Sequence, residues 1–67
     1  MEYHLMPMTN STYHPTLIKD CEDEYSLIKF IKMILKCYEP ECWMKVTRKD
    51  GRSANIGRKH KSDIEWL

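Results

Sequence analysis

Residues 42–58, CWMKVTRKDGRSANIGR, decide the fold, because their polarity admits one hairpin register. Alternation places Cys42, Met44 and Val46 on one face of a first strand and Trp43, Lys45 and Thr47 on the other. A two-residue turn at Asp50-Gly51 would set Val46 opposite Asn55 and Lys45 opposite Ile56, mixing core and solvent faces. A three-residue loop, Lys49-Asp50-Gly51, with Gly51 in the left-handed third position, sets Val46 opposite Ala54 and Met44 opposite Ile56, so that one face is continuously apolar. The same register puts Trp43 opposite Gly57, where the ring is expected to cover bare backbone. It also puts Arg48 opposite Arg52, where like charges repel and the tip favours an anion.

Upstream of the hairpin, the sequence predicts a helix from about Asp20 to Tyr38. Asp20 is the expected cap, and Glu22, Asp23 and Glu24 set negative charge at the positive end of the helix dipole. Leu27, Ile28, Phe30, Ile31, Ile34, Leu35, Cys37 and Tyr38 fall on one half of the circumference and are expected to face the core. Lys29, Lys32 and Lys36 fall together on the opposite side, flanked by Tyr25 and Met33, and Pro40 prevents continuation. Further upstream, Tyr3 to Met8 and Thr12 to Ile18 have strand composition around a turn at Asn10-Ser11. Pro7 and Pro15 are expected to keep both segments out of a central sheet position, as edge strands or ordered arm. At the other end Ser62-x-x-Glu65 has the form of a capping box, which predicts one helical turn carrying Ile64, Trp66 and Leu67. The expected class is α+β, one amphipathic helix packed on a small antiparallel sheet of ββαββ type, with residues 1–67 forming one domain.

Size bounds what such a chain can do. A domain of 67 residues buries only about 60% of the surface its unfolded chain exposes. A single small core leaves little room for a concave, water-excluding catalytic pocket, so the chain is read as a non-enzyme. Marginal stability leaves a role for a second copy of the chain as a homodimer partner. No apolar run approaches the roughly 18 residues of a membrane span, and Met1 to Met8 lacks the form of a secretory signal. Three cysteines without an export signal fit a reducing compartment, so a cytoplasmic location without membrane contact is expected. Asn10-Ser11-Thr12 is then a turn and not a glycosylation site.

The net charge of +1 conceals a gradient along the chain. Residues 1–24 carry five acids against Lys19, whereas residues 45–67 carry seven bases against three acids. The basic hairpin is therefore the leading candidate surface: Arg48, Lys49, Arg52, Arg58, Lys59 and Lys61, with Lys45 and Trp43 on the outer strand face. A two-stranded ribbon can enter a major groove, and an aromatic ring can stack on an unpaired base. The bland alternative is a solvated hairpin whose charges discourage edge-to-edge aggregation. Lys29, Lys32 and Lys36 lack acids three or four residues away within the helix and join the candidate set, against the ordinary role of a lysine face in solubility.

The expected function is a binding module that grips an anionic partner, nucleic acid first. The alternative is a protein-interaction module, such as a viral or plasmid-borne inhibitor of a host nucleic-acid enzyme or another nucleic-acid-binding protein. Tyr25, Met33 and Trp43 are then the candidate anchors. The acidic entry to the helix would be the other pole of that surface. Cys21, Cys37, Cys42 and His60 could supply four zinc ligands, but no Cys-x2-Cys pair is present and Cys37 and Cys42 fall on core faces. Buried inert cysteines, no metal and no cofactor are the expectation. A cysteine nucleophile served by His4, His14 or His60 would need a base, an orienting group and a cleft that nothing in the sequence links.

Overall fold

The computed structural model describes residues 1–60 and 63–67. Lys61 of the basic set and Ser62 of the capping box lie outside the described residues. The elements are β1 (Glu2–Met8), β2 (Leu17–Asp20), α1 (Glu24–Leu35), β3 (Trp43–Arg48) and β4 (Ser53–Ile56). The four strands form one antiparallel sheet in the order β2-β1-β3-β4, with one helix packed on it, as the α+β reading requires. Since β2 and β3 run the same way on either side of β1, α1 must cross one face of the sheet to join them. Among the described residues the other face carries no helix. No helix among the described residues is long and apolar enough to cross a membrane.

The β3–β4 register is the one that polarity selects: Met44 pairs Ile56 and Val46 pairs Ala54. Gly51 closes the turn at φ 91°, and its N–H donates to the Arg48 carbonyl at 3.0 Å. Gly57 departs from expectation. It lies beyond the end of β4, and a methyl added there would meet nothing within 4 Å, so the Trp43 ring does not cover it.

β1 occupies the centre of the sheet despite Pro7, which corrects the edge-strand expectation. The N–H and C=O of one strand residue point to the same edge, and the Pro7 carbonyl accepts from the His14 N–H at 3.0 Å. Its ring nitrogen therefore faces an edge where β2 has already stopped, since the last β1–β2 pair is Leu5 with Leu17. The missing donor costs no ladder bond. Between them residues 9–16 form a loop, tied by Thr9 Oγ1, which accepts from the Thr12 N–H at 3.0 Å, and by a lone bridge from Met8 to Tyr13. Strand pairing thus begins at Leu17, five residues later than composition suggests.

The helix start moves for the same reason. Asp20 ends β2, and its carboxylate pairs with the Met1 ammonium at 3.0 Å. Asp23 is the cap instead, accepting from the Ser26 N–H at 2.8 Å, a bond that holds its carboxyl below the usual range. Leu27, Ile28, Ile31 and Leu35 are buried, with Phe30, Ile34 and Tyr38 packed at the margin. The helix stops at Leu35, so Cys37 lies beyond it and is exposed, not core. Against this stripe the sheet presents Tyr3, Leu5, Pro7, Met44, Val46, Ala54 and Ile56. Each fully buried aliphatic side chain contributes roughly 1.5–3 kcal/mol over leaving it exposed.

Residues 63–67 dock without forming the expected helical turn. The Leu67 N–H donates to the Ser53 carbonyl at 2.9 Å, and Ile64 is buried. Trp66 stacks on Tyr3 with centroids 5.9 Å apart. The backbone bond to β4 and the indole contacts satisfy groups that a single isolated turn would leave to water.

Because space around Gly51 is open, replacing it tests backbone strain alone. Gly51→Ala should lower stability by about 1 kcal/mol in urea denaturation, since an L-residue is strained at positive φ. Gly57→Ala should stay within about 0.5 kcal/mol of the parent.

Candidate functional site

The basic residues of the hairpin are divided among three places. Arg48 projects from the covered face of the sheet and is held internally. Its Nε donates to Asp50 Oδ1 at 3.2 Å and an Nη donates to Asp50 Oδ2, a two-pronged contact with a carboxylate in its own turn. Its guanidinium also lies 4.9 Å from the Trp66 ring centroid, and the Trp66 indole N–H donates to Glu24 Oε1 at 2.7 Å. The acidic opening of the helix is thereby brought to the basic tip of the hairpin. Two segments that are opposite in charge along the chain are neighbours in space.

Asp50 is the anion that the Arg48–Arg52 pair favours. Besides Arg48 it accepts from the Arg52 backbone N–H at 3.1 Å. The Arg48 guanidinium, then this N–H, hold its carboxyl down at about 2 against an ordinary 3.8, while the same contact raises Arg48. Sequence reasoning treated Asp50 only as a turn residue. The available signal was its position in the loop, two residues from each arginine.

Arg58 is committed elsewhere. It donates from Nη2 to the Leu35 carbonyl at 2.8 Å and to the Tyr38 carbonyl at 2.7 Å, meeting the negative end of the helix dipole. Lys45, Lys49, Arg52 and Lys59 are exposed, and no described lysine has a carboxylate within 4.0 Å. Register and alternation place Trp43 and Lys45 on the helix-free face, beside Met8 and Met6 of β1. Of the described hairpin set, Arg48 and Arg58 are thus tied to internal partners, and Lys45, Lys49, Arg52 and Lys59 are exposed.

The helix lysines are gathered, on the side away from the hairpin. A groove of about 650 Å³ runs between β2 and α1, with Phe30 and Met33 as its apolar floor and Lys19, Lys29, Lys32 and Lys36 around it. Lys19 lies with its ammonium 4.8 Å from the Phe30 ring centroid, so it covers the floor while keeping its charge outside. Asp20 and Glu22 close one end, leaving four lysines against two acids. β2 is a terminal strand, paired only with β1, and so offers an unpaired backbone edge beside the groove. Lys19 is the residue the sequence reading missed, because a lone lysine in an acidic segment gives no sign that it will join a helix stripe.

Among the described residues Cys21, Cys37, Cys42 and His60, weighed above as zinc ligands and set aside, are not assembled; a different group is. The ligand-type atoms of His14, Glu39 and Cys42 lie within 4.8 Å of one another at the end of the sheet where β1–β2 pairing has ceased. Cys42 is 2% exposed, and burial pushes its thiol up, with the Met8 N–H bond pulling the other way. His60 instead contacts the Asp63 carbonyl at 2.6 Å.

A depressed folded-state carboxyl stabilises the fold above the unfolded pKa and ceases to do so as pH falls through the folded one. Asp50 should therefore contribute fully above pH 3.8 and lose that contribution as pH falls towards about 2. Urea titrations between these limits should show a shallower acid loss for Asp50→Asn than for the parent. An unchanged acid limb would mean that Asp50 does not restrain Arg48 in solution.

No protein-family model matches the chain, and no curated protein or solved structure is significantly similar to it.

Proposed function

We propose that this protein is a non-enzymatic binding module whose partner is an acidic, partly apolar segment of another protein, taken up between β2 and α1. The observation that carries the reading is the make-up of that groove: lysines without ion pairs around an aromatic and methionine floor, beside an open strand edge. An extended segment laid along β2 exchanges main-chain hydrogen bonds with Leu17–Asp20, and its alternate side chains reach the floor. Methionine adapts its shape to varied apolar groups. Carboxylates on the segment meet Lys29, Lys32 and Lys36 and are repelled by Glu22, which favours one direction. The lysines contribute on-rate and orientation, and the apolar floor contributes more of the affinity.

Nucleic acid, the partner to which hairpin composition points, fits this arrangement less well. Arg48 and Arg58 already have internal partners, and the lysine groove has no hairpin residue in its lining. A duplex or single strand needs a continuous basic track along its backbone.

Nitrogen-15 NMR titration with two probes of matched charge tests the choice: an alternating Glu-Val peptide and a single-stranded oligonucleotide. The peptide should shift the amides of residues 17–20 and 29–36. Lys29→Glu combined with Lys36→Glu should weaken it by at least about tenfold, or 1.4 kcal/mol. Tighter binding by the oligonucleotide, with shifts at Lys45, Lys49, Arg52 and Lys59, would replace this reading with nucleic-acid recognition.

A further inference from the structure

His14 carries an unsatisfied nitrogen in a place built to hold it still. Its backbone N–H is bound to the Pro7 carbonyl at 3.0 Å, and its ring packs against Tyr38 with centroids 4.7 Å apart. Nε2 is shielded from solvent and has no hydrogen-bond partner. The Glu39 Oε2 is 3.8 Å away, beyond hydrogen-bond reach. Buried polar atoms are almost always paired, so an orphan of this kind calls for a ligand.

Two neighbours supply the rest of a coordination set. Glu39-Pro40-Glu41-Cys42 is a tight turn closed by the Cys42 N–H to the Glu39 carbonyl at 2.9 Å, with proline at its second position. The turn holds the Glu39 carboxylate and the Cys42 sulfur on the side that His14 faces. A tetrahedral ion with bonds of about 2.0–2.3 Å sets its ligand atoms roughly 3.3–3.8 Å apart. The Nε2–Oε2 separation of 3.8 Å lies a few tenths of an ångström beyond the roughly 3.3–3.6 Å that a nitrogen and an oxygen ligand take. All three ligand atoms lie within 4.8 Å of one another, so holding one ion requires an inward shift of no more than about 1–1.5 Å, and Glu39 is half-exposed and free to turn. Thiolate, imidazole and carboxylate together suit zinc and not magnesium or calcium, which take oxygen ligands.

We propose that His14, Glu39 and Cys42 bind one zinc ion, with the fourth position left to water or a donor from outside the chain. The ion joins the 9–16 loop to the α1–β3 connection, two segments that no strand pairing links. It is a staple of the kind that small domains use, and it stands independently of the groove.

Calorimetric titration of the chelator-stripped full chain with zinc, and absorption spectroscopy with cobalt as the probe, test the site. One equivalent should bind, raise the thermal midpoint and give a thiolate-to-cobalt charge-transfer band. His14→Gln and Glu39→Gln, at partly exposed positions, should keep the parent circular dichroism and weaken binding at least about tenfold, the lower bound for loss of even an outer partner. Cys42→Ser should remove the band and Cys37→Ser should keep it. Absence of the band in the parent overturns the proposal. So does parent-like affinity in both His14→Gln and Glu39→Gln, or loss of the band in Cys37→Ser and not in Cys42→Ser.

Discussion

Among the described residues a single helix covers a four-stranded sheet, and that shortage of cover governs the rest of the structure. The stripe of Leu27, Ile28, Ile31 and Leu35 seals the middle of one face and cannot reach its flanks. The row that crosses the sheet at Tyr3 shows the outcome, since Lys19 and Arg48 pair with Tyr3 from either side and share its covered face. Each lays its charge against an aromatic ring, Lys19 on Phe30 and Arg48 on Trp66. Cationic side chains with long stems thus complete a core that apolar residues are too few to close.

The same shortage explains why charge along the chain is a poor guide to charge on the surface. Arg58 completes the end of α1, and Arg48 is drawn into a chain of contacts through Trp66 to Glu24. The opposing ends of the gradient meet where the hairpin tip lies beside the helix start. What remains unneutralised includes the lysine stripe, beside the exposed Lys45, Lys49, Arg52 and Lys59, and the separation of the stripe from acids within the helix was visible in the sequence at short range. Long-range pairing depended on the order of strands, which was not.

The fold was legible where polarity allowed a single solution. Only one hairpin register keeps Met44, Val46, Ala54 and Ile56 on one face, and the helix stripe follows a plain period. Legibility failed where a residue type has a general rule with a local exemption. Pro7 obeys the rule against missing donors because its neighbour strand ends two residues earlier, a fact about β2 and not about Pro7. Asp20 is a good cap by type, but the ladder with β1 and the Met1 ammonium claim it first. The cluster of His14, Glu39 and Cys42 was hidden for a different reason. Its histidine comes from a loop far from the turn in sequence, and spacing motifs see only local pairs.

The two outer edges of the sheet are not equivalent. The Leu67 N–H takes up the Ser53 carbonyl of β4, whereas β2 pairs on one side only. Edge-to-edge growth of a sheet into a ribbon requires a receptive strand at both ends of every copy. Two copies that met through β2 would form a closed eight-stranded sheet with a tail guarding each margin, and addition would stop there. The docked tail would thus hinder further addition at β4, while β2 stays the open edge.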